Sequence, residues 1–263
     1  MKNIVITGST RGLGFEMAKE FLKAGYNVTI SGSKPESFDK VKEELSGFEN
    51  HFIYMACNVR NIDDIKGLWL KSVEKWGRVD IWINNAGQNC PREYLWNTPD
   101  EYIDAVVDTN IKGVIYGSRV AVENMLKQGS GQVWNMEGLG SNNMIIAQTI
   151  LYGTSKCALT YFTRGLAKEL KDSPVKIGRL SPGMMLTDFI TKSPTGEMSP
   201  VIQDKQFRRV FNTLGDKPEK VAKFFVPGIL SNSKQNAHLV WLTNFKSVKR
   251  FLTAAFNKRD LLR

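Results

Sequence analysis

A glycine-rich turn near the N-terminus places the strongest constraint on the fold. Residues 3–7 form a predicted buried strand, and Gly8, Gly12 and Gly14 follow it before a predicted helix that extends to about Ala24. Glycines at such a junction permit a tight turn and let the backbone approach a pyrophosphate at the helix N-terminus. A purely structural turn is the alternative, but the position directly after the first strand favours a dinucleotide-binding fold.

The rest of the chain alternates between strand and helix patterns. Strand patterns recur at 27–31, 52–56, 80–83, 131–136, 175–181 and 238–242, and helical patterns lie at 36–46, 62–76, 99–127 and 151–171. This alternation predicts βαβ units with a parallel sheet covered on both faces. Right-handed crossovers then give a single-domain α/β fold, a doubly wound parallel sheet of the Rossmann type. We expect the domain to span residues 1–243, with a less regular substrate lid at about 184–235.

Composition narrows the function classes. The three cysteines are scattered, and the two histidines make zinc or histidine-based catalysis improbable. The formal net charge of +10 favours anionic partners: a phosphorylated cofactor, an acidic lipid surface or nucleic acid. Because no nucleic-acid-binding signature accompanies the charge, we expect no nucleic-acid partner. With no signal peptide and no long apolar segment in sight, we expect a cytoplasmic protein that can still reach a membrane surface.

A tyrosine and a lysine stand four residues apart in a predicted helix. Tyr152 and Lys156 therefore share one helix face, and the lysine ammonium favours ionisation of the tyrosine. The pair can move a proton to or from a substrate oxygen near neutral pH. Alone the spacing also fits a solvated helix face. Its combination with the glycine turn and the segment 84–87 (Asn-Asn-Ala-Gly) favours the acid/base role.

The end of the second strand indicates which cofactor the crevice takes. NAD enzymes usually carry an acid there, which holds the ribose hydroxyls. Here the strand end offers Ser31, Ser33 and Lys34 instead, and Arg11 lies in the glycine turn. Hydroxyls and cations bind a 2′-phosphate that a carboxylate would repel. The pattern predicts NADPH, although Lys34 also fits a solvated loop lysine.

These motifs together resemble the short-chain dehydrogenases/reductases over about residues 1–190. The resemblance implies that Tyr152 is the acid/base, that Lys156 holds the nicotinamide ribose and lowers the tyrosine pKa, and that Asn110 holds a proton-relay water. It also implies a set of cofactor-binding residues. These are Gly8, Ser9, Arg11, Gly12, Leu13 and Gly14 in the turn, Asn58 and Val59 at the adenine, Asn85, Ala86 and Gly87 under the adenosine ribose, and Pro182, Gly183 and Thr187 beside the nicotinamide.

One position departs from the family pattern. The catalytic serine normally lies about thirteen residues before the tyrosine, and Gly138 occupies that position here. The nearest hydroxyl is that of Ser141. Either Ser141 enters on a remodelled loop and polarises the substrate carbonyl, or it is a plain loop serine and a backbone N–H does that work.

The same segment narrows the resemblance. Asn135–Ser141, Tyr152–Cys157 and Ser181–Asp188 are similar to the corresponding motifs of plant chlorophyll b reductases. Those enzymes reduce the 7-formyl group of chlorophyll b to hydroxymethyl with NADPH, so the resemblance implies a formyl reductase. A generic reductase of oxoacyl thioesters or small ketones remains an alternative. A non-catalytic NADP-binding sensor is a second one.

A bulky apolar substrate needs an apolar pocket with few polar anchors. The residues that follow the Pro-Gly turn are candidates for its wall, although ordinary core packing explains any one of them equally well. They are Met184, Met185 and Phe189.

The C-terminal tail combines apolar and basic residues. Trp241, Phe245, Val248, Leu252 and Phe256 recur every three to four residues and are flanked by lysines and arginines. We expect a basic amphipathic helix over 244–263. It can lie on an anionic membrane, or it can bury its apolar stripe against the protein or a subunit partner. The family resemblance also implies a homo-oligomer.

Overall fold

The computed structural model describes residues 1–193, 196–254 and 259–262. In this part of the chain, one seven-stranded sheet has the order β3-β2-β1-β4-β5-β6-β7, and all neighbouring pairs are parallel. The strands are β1 (Asn3–Ile6), β2 (Asn27–Gly32), β3 (Phe52–Ala56), β4 (Ile81–Asn84), β5 (Gly131–Met136), β6 (Val175–Ser181) and β7 (Ala237–Val240). The sheet confirms the predicted doubly wound fold. Strand order reverses between β1 and β4, which is where such sheets bind their ligands.

Helices cover both faces of this sheet. They are α1 (Gly12–Lys23), α2 (Ser37–Glu44), α3 (Ile62–Trp76), α4 (Asp100–Val106), α5 (Gly113–Gln128), α6 (Ile150–Glu169), α7 (Asp188–Thr191), α8 (Lys205–Leu214), α9 (Pro218–Leu230) and α10 (Asn244–Thr253). Successive residues of β1 point to opposite faces, so Ile4 and Ile6 pack with α1 and α9, whereas Val5 packs with α3 and α5. Among the described helices, none has the length and apolar character to cross a bilayer.

The predicted helix over 99–127 is interrupted. A π-helical turn, Val107–Lys112, separates α4 from α5 and buries Thr109 and Asn110. The i→i+5 pattern inserts a residue into the helical ladder and is frequent at functional sites. Hydrophobic periodicity gave no sign of this turn, because one inserted residue barely disturbs the apolar pattern.

Two predicted boundaries need correction. The region assigned to a lid, 184–235, contains α9, whose buried side chains Val221, Phe225 and Ile229 pack into the main core with α1. That helix is part of the layer covering the sheet, so only the segment before it remains a predicted lid. The C-terminal helix ends at Thr253, and residues 259–262 are not helical. Phe256 lies outside the described residues.

A buried carboxylate ties the tail to the segment that follows β6. Asp216 is 1% exposed, and its side chain pairs with Arg250 at 2.7 Å and Arg259 at 3.0 Å. Its main-chain N–H donates to the Met184 carbonyl at 3.0 Å, and its own carbonyl accepts from the N–H of Leu186 at 2.9 Å. A charge so deeply buried is tolerated only when it is paired and hydrogen-bonded. The tail and the segment after β6 are therefore held as one unit.

We expect Asp216→Asn to lower the free energy of unfolding by about 3 kcal/mol, because two largely buried guanidinium groups lose their counter-charge. Urea unfolding followed by tryptophan fluorescence measures the change. Asp188→Asn is the control: its ion pairs with Arg11 (3.9 Å) and Lys192 (3.2 Å) join exposed side chains, and each should contribute less than about 1 kcal/mol. Equal effects of the two substitutions would contradict the role given to Asp216.

Candidate active site

The turn after β1 and the loop after β4 are in close contact. A Cβ on Gly8 would lie 2.8 Å from the Ala86 Cα, and one on Gly14 would lie 2.6 Å from the Gly8 carbonyl oxygen. The Asn85 side-chain amide donates to the carbonyls of Thr7 (3.0 Å) and Gly8 (2.8 Å). Only glycine fits at positions 8 and 14. We call this glycine turn the cradle, because a turn of this kind at a helix N-terminus lets backbone N–H groups approach a pyrophosphate closely.

The remaining residues of the turn differ in how far they are exposed to solvent. Gly12 has φ +59°, a left-handed conformation that favours glycine. Leu13 is 5% exposed, and its packing in the core holds the first turn of α1 against the sheet. Arg11 lies at the surface, with a side chain that is 80% exposed.

Ser9 and Ser31 support the turn from inside the protein. Both are fully buried, and both hydroxyls donate to the Ile6 carbonyl, at 2.6 Å and 3.3 Å. The Ser31 N–H donates in turn to the Ser9 hydroxyl oxygen at 3.0 Å. The predicted contact of Ser31 with a 2′-phosphate is therefore wrong, because the strand continues to Gly32 and turns the Ser31 side chain into the core.

The other predicted 2′-phosphate residues are accessible. Ser33 and Lys34 are exposed directly after the end of β2. The Lys34 carbonyl accepts from the Tyr54 hydroxyl at 2.7 Å, which fixes the backbone while the lysine side chain stays free in solvent. A Cβ on Gly32 would lie 2.7 Å from the Thr10 methyl carbon, so the two loops adjoin. Ser33 and Lys34 are thus close to the glycine turn that carries Arg11, and their contact with a 2′-phosphate stays a prediction.

The predicted adenine loop is fixed by its own backbone. The Asn58 N–H donates to the Asp64 carboxylate at 2.8 Å, and its side-chain oxygen accepts from the Arg60 N–H at 3.2 Å. Val59 is 8% exposed and lies against Gly113, where an added Cβ would be 2.9 Å from a Val59 methyl. Asn58 is exposed, whereas Val59 is buried in the core against Gly113, and their contact with an adenine stays a prediction.

Asn110 links the loop after β4 to α6. Its side-chain oxygen accepts from the Gln88 N–H at 2.7 Å, and its side-chain nitrogen donates to the Gln88 carbonyl (2.9 Å) and the Ser155 hydroxyl (3.0 Å). Ser155 donates to the Tyr152 carbonyl at 2.7 Å. Both hydrogens of the Asn110 side-chain amide are bonded to protein groups, so they are not available to a water. The relay water on Asn110 therefore stays a prediction, and it would bind the main chain of this residue.

Tyr152 and Lys156 lie on α6 at the carboxyl end of the sheet. The Lys156 ammonium is buried, donates to the Met136 carbonyl at 3.0 Å and lies 5.8 Å from the centroid of the Tyr152 ring. Burial lowers the pKa of Lys156 to about 8, partly opposed by the negative charge of Glu137. Lys156 therefore still carries its charge at neutral pH.

Burial has the opposite consequence for the tyrosine. It raises the pKa of Tyr152 above its usual value, and the nearby Cys90 thiol adds to the rise. The pKa of Tyr152 is therefore raised overall in this structure, because removal of the phenol from water disfavours its charged form. The lowering by Lys156 that the family resemblance implies stays a prediction. Tyr152 is thus protonated at neutral pH, the form that can donate a proton.

Gly138 occupies the position where the family carries its serine, and the Tyr152 hydroxyl lies directly against it. A Cβ on Gly138 would lie 2.5 Å from the Tyr152 hydroxyl oxygen and 3.2 Å from the Lys156 Cγ. Ser141 lies behind this glycine: its hydroxyl oxygen accepts from the Gly138 N–H at 3.1 Å and donates to the Lys156 carbonyl at 3.3 Å. In this arrangement Ser141 braces the loop, and neither its hydroxyl nor the Gly138 N–H is directed to a substrate.

The segment after β6 closes over this site. The Phe189 ring meets the Tyr152 ring edge-on with centroids 5.7 Å apart, and the Phe189 carbonyl accepts from the Asn89 side chain at 2.9 Å. The nearest atom to a Cβ built on Gly12 would be the Thr187 methyl, at 3.5 Å. Thr187 therefore lies against the glycine turn and Phe189 against Tyr152, and Gly87 is next to Phe189. Their predicted roles at the nicotinamide and the substrate stay predictions.

The remaining residues of this segment have different surroundings. Met184 is half-buried, whereas Met185 packs against the main core, so the alternative of core packing holds for Met185. Pro182 is buried. Gly183 has φ +72°, and an added Cβ would lie 2.7 Å from the Leu242 Cβ. The Pro182-Gly183 turn therefore sets the direction in which the segment leaves the sheet.

Sequence reasoning missed two residues beside the acid/base pair. Cys90 is half-buried next to Tyr152, and no motif marked it. Glu137 is 4% exposed. One of its carboxylate oxygens pairs with the Arg179 guanidinium at 3.1 Å, and the other lies 2.8 Å from the Nε2 atom of His238. Burial alone would raise the pKa of Glu137, but the hydrogen bonds and charges of these partners lower it overall. Its position just before Gly138 was the available signal.

Known proteins share these features. The family model for short chain dehydrogenases matches residues 2–197. A chlorophyll(ide) b reductase of rice (Oryza sativa subsp. japonica), NOL, is 34% identical over 269 residues, covering 98% of this chain and 76% of that protein. The probable chlorophyll(ide) b reductase NYC1 of the same species is 36% identical over 244 residues, covering 86% of this chain and 47% of that protein. The chain thus spans about half the length of the latter relative.

Among solved structures, ElxO with NADP bound has a TM-score of 0.79 and 27% sequence identity, covering 91% of this chain and 96% of that one. A tyrosine-to-phenylalanine variant of ElxO with NADPH bound matches equally well. The resemblance that the motifs indicated is confirmed, both to the family and to its chlorophyll b reductase group. The chain belongs to the short-chain dehydrogenase family.

Proposed function

We propose that this protein is an NADPH-dependent carbonyl reductase that reduces a formyl group of a chlorophyll-type pigment to hydroxymethyl. The observation that carries the proposal is geometric: the buried Lys156 ammonium lies 5.8 Å from the centroid of the half-buried Tyr152 ring, at the carboxyl end of the sheet where the glycine cradle would hold a dinucleotide. The similarity to chlorophyll(ide) b reductases supports the choice of substrate class.

The cradle fits an NADPH molecule. Gly8 and Gly14 let the backbone come close to the pyrophosphate, and Arg11 with Lys34 supplies two cations for the 2′-phosphate. The NADP-bound and NADPH-bound structures of ElxO support this cofactor. When bound, NADPH supplies the hydride that reduces the carbonyl carbon.

Tyr152 supplies the proton in this mechanism. Its raised pKa keeps the hydroxyl protonated until the carbonyl oxygen gains negative charge, and it then donates to that oxygen. The Lys156 ammonium, oriented by the Met136 carbonyl, stabilises the phenolate that remains. We infer that a water on Asn110 returns a solvent proton to Lys156. Asn110 is fixed in its turn by its side-chain hydrogen bond to Ser155, which in turn donates to the Tyr152 carbonyl.

The missing serine leaves Tyr152 to orient the substrate carbonyl. Because Ser141 and the Gly138 N–H are bonded to each other, the Tyr152 hydroxyl orients the carbonyl as well as protonating it. This hydroxyl lies directly against Gly138, where any side chain would displace it. Phe189 packs edge-on against the Tyr152 ring, and such an apolar contact suits an apolar formyl compound.

We also propose two kinds of association. Exposed apolar side chains on α5 and α6, including Ile115, Leu126 and Ile150, are a surface on which a homo-oligomer can form. The C-terminal tail is proposed to contact a membrane surface, where an apolar pigment would be found.

Replacing the proposed proton donor tests the function. Tyr152→Phe should bind NADPH as the wild type does and lose turnover by about a thousandfold, because it removes only the proton donor. NADPH fluorescence reports binding, and turnover is measured on chlorophyllide b, a small aromatic aldehyde and an acetoacetyl thioester. Tyr161→Phe, on the exposed side of the same helix, should leave both properties unchanged.

The substrate panel separates the alternatives. Turnover of the thioester or small aldehyde without the pigment would identify a generic reductase. NADPH binding by wild type with no turnover of any carbonyl would identify a non-catalytic sensor and contradict the proposal.

The close approach of the Tyr152 hydroxyl to Gly138 is testable in the same assay. Gly138→Ala should lower kcat/KM by about a hundredfold, since the methyl group would displace the Tyr152 hydroxyl by a fraction of an ångström or more. NADPH binding should be unaffected. Gly165→Ala is the matched control on α6, because an added Cβ there has no neighbour within 4 Å. If Gly138→Ala or Gly138→Ser raised turnover, the account of this position would be wrong.

A further inference from the structure

Helix α10 presents its apolar side chains to solvent. Four of them are largely exposed: Phe245 (79%), Val248 (58%), Phe251 (51%) and Leu252 (75%). Their spacing places them on one side of the helix, which we call the outer face of α10. Most surface helices turn such a side inward to the core. The sequence alternative in which the predicted stripe packs against the body of the protein is therefore wrong for its members Phe245, Val248 and Leu252.

Polar groups attach α10 to the protein instead. Arg250 pairs with Asp216 at 2.7 Å and donates to the Leu214 carbonyl at 2.8 Å. The Lys246 ammonium lies 3.0 Å from the centroid of the Trp241 ring and donates to the Trp241 carbonyl at 3.2 Å. The helix is thus held in an orientation that exposes its apolar side, and buried ionic contacts maintain that orientation.

The surroundings of the outer face are positively charged. Lys249 lies on α10 itself. The pKa of Lys246 is lowered first by burial and then by the positive charges of Arg250, Lys220 and Arg259, whereas the negative charge of Asp216 raises it. Asp216 is already paired with both arginines. The chain as a whole carries a formal net charge of +10. An apolar face with a cationic rim is complementary to an anionic lipid surface.

A second copy of the chain fits this face less well. It would bring the same positive charges together, and like charges across an interface are unfavourable. A ten-residue helix is also only about 15 Å long. Four side chains on it fall well short of the roughly 800 Å² per partner that a stable interface buries.

We propose that the outer face of α10 docks on an anionic bilayer and positions the substrate segment at the lipid surface. Asp216 links the two, because it pairs with Arg250 of α10 and its main chain binds Met184 and Leu186. That segment continues to Phe189 beside Tyr152. The inference rests on the proposed function in so far as the substrate is an apolar carbonyl that resides in the lipid.

Vesicle flotation tests the docking directly. Wild type should float with vesicles of phosphatidylcholine and phosphatidylglycerol, float poorly with phosphatidylcholine alone, and detach as salt is raised. Phe245→Ser/Leu252→Ser should lower partitioning by about tenfold or more, because two apolar side chains no longer insert. Leu70→Ser is the matched control, since Leu70 is a 66% exposed leucine on α3, and should float as wild type does.

Activity measurements separate this inference from the proposed function. The double variant should reduce a water-soluble aromatic aldehyde as wild type does, but reduce chlorophyll b in phosphatidylglycerol-containing vesicles about tenfold more slowly. Equal flotation of wild type and double variant, or no flotation of wild type at low salt, would overturn the docking. So would a double variant that turns a dimer into a monomer without any loss of lipid binding. Absent aldehyde reduction with normal flotation would count against the proposed function alone.

Discussion

The close contact between the glycine turn after β1 and the loop after β4 is the constraint on which the site depends. Asn85 holds the turn through the carbonyls of Thr7 and Gly8. Three residues further along, Gln88 is held at both its N–H and its carbonyl by Asn110, which also binds Ser155. Ser155 binds the Tyr152 carbonyl. A nearly continuous series of hydrogen bonds therefore fixes the distance between the cofactor cradle and the proton donor.

The burial that makes this series rigid also sets the chemistry. Lys156 is buried and Tyr152 is half-buried, and this loss of water destabilises the charged form of each. The outcome at neutral pH is an ammonium whose pKa is reduced to about 8 beside a protonated phenol. That combination suits reduction, in which the phenol donates a proton. Glu137, one residue before Gly138, contributes the negative charge that keeps Lys156 protonated.

Local patterns were sufficient to predict the sheet, the glycine turn and the acid/base pair. Buried parallel strands are continuous apolar runs, and Gly8 and Gly14 are required by close backbone contacts, so both leave clear marks in the sequence. Features that depend on tertiary contacts were not predictable. Ser31 turns inward because β2 extends one residue further than its pattern indicated, and the rise of the Tyr152 pKa depends on how completely the ring is buried.

The orientation of α10 illustrates the same limit. Its amphipathic pattern was evident, but the side that faces the protein is decided by Asp216, which lies 34 residues before Arg250 in the chain. A periodic pattern identifies an apolar side, whereas only the position of buried charges determines where that side points. The proposed lipid contact therefore arises from an electrostatic attachment as much as from the apolar residues themselves.

The central claim is that the Tyr152 site transfers hydride from NADPH to a formyl carbon. Reduction of chlorophyllide b with NADPH deuterated at the transferable position of the nicotinamide, followed by mass spectrometry of the product, tests it most directly. The account predicts a deuterium on the new hydroxymethyl carbon, in wild type but not in an enzyme lacking the Tyr152 hydroxyl. An unlabelled product, or an unchanged pigment in the presence of bound NADPH, would contradict it.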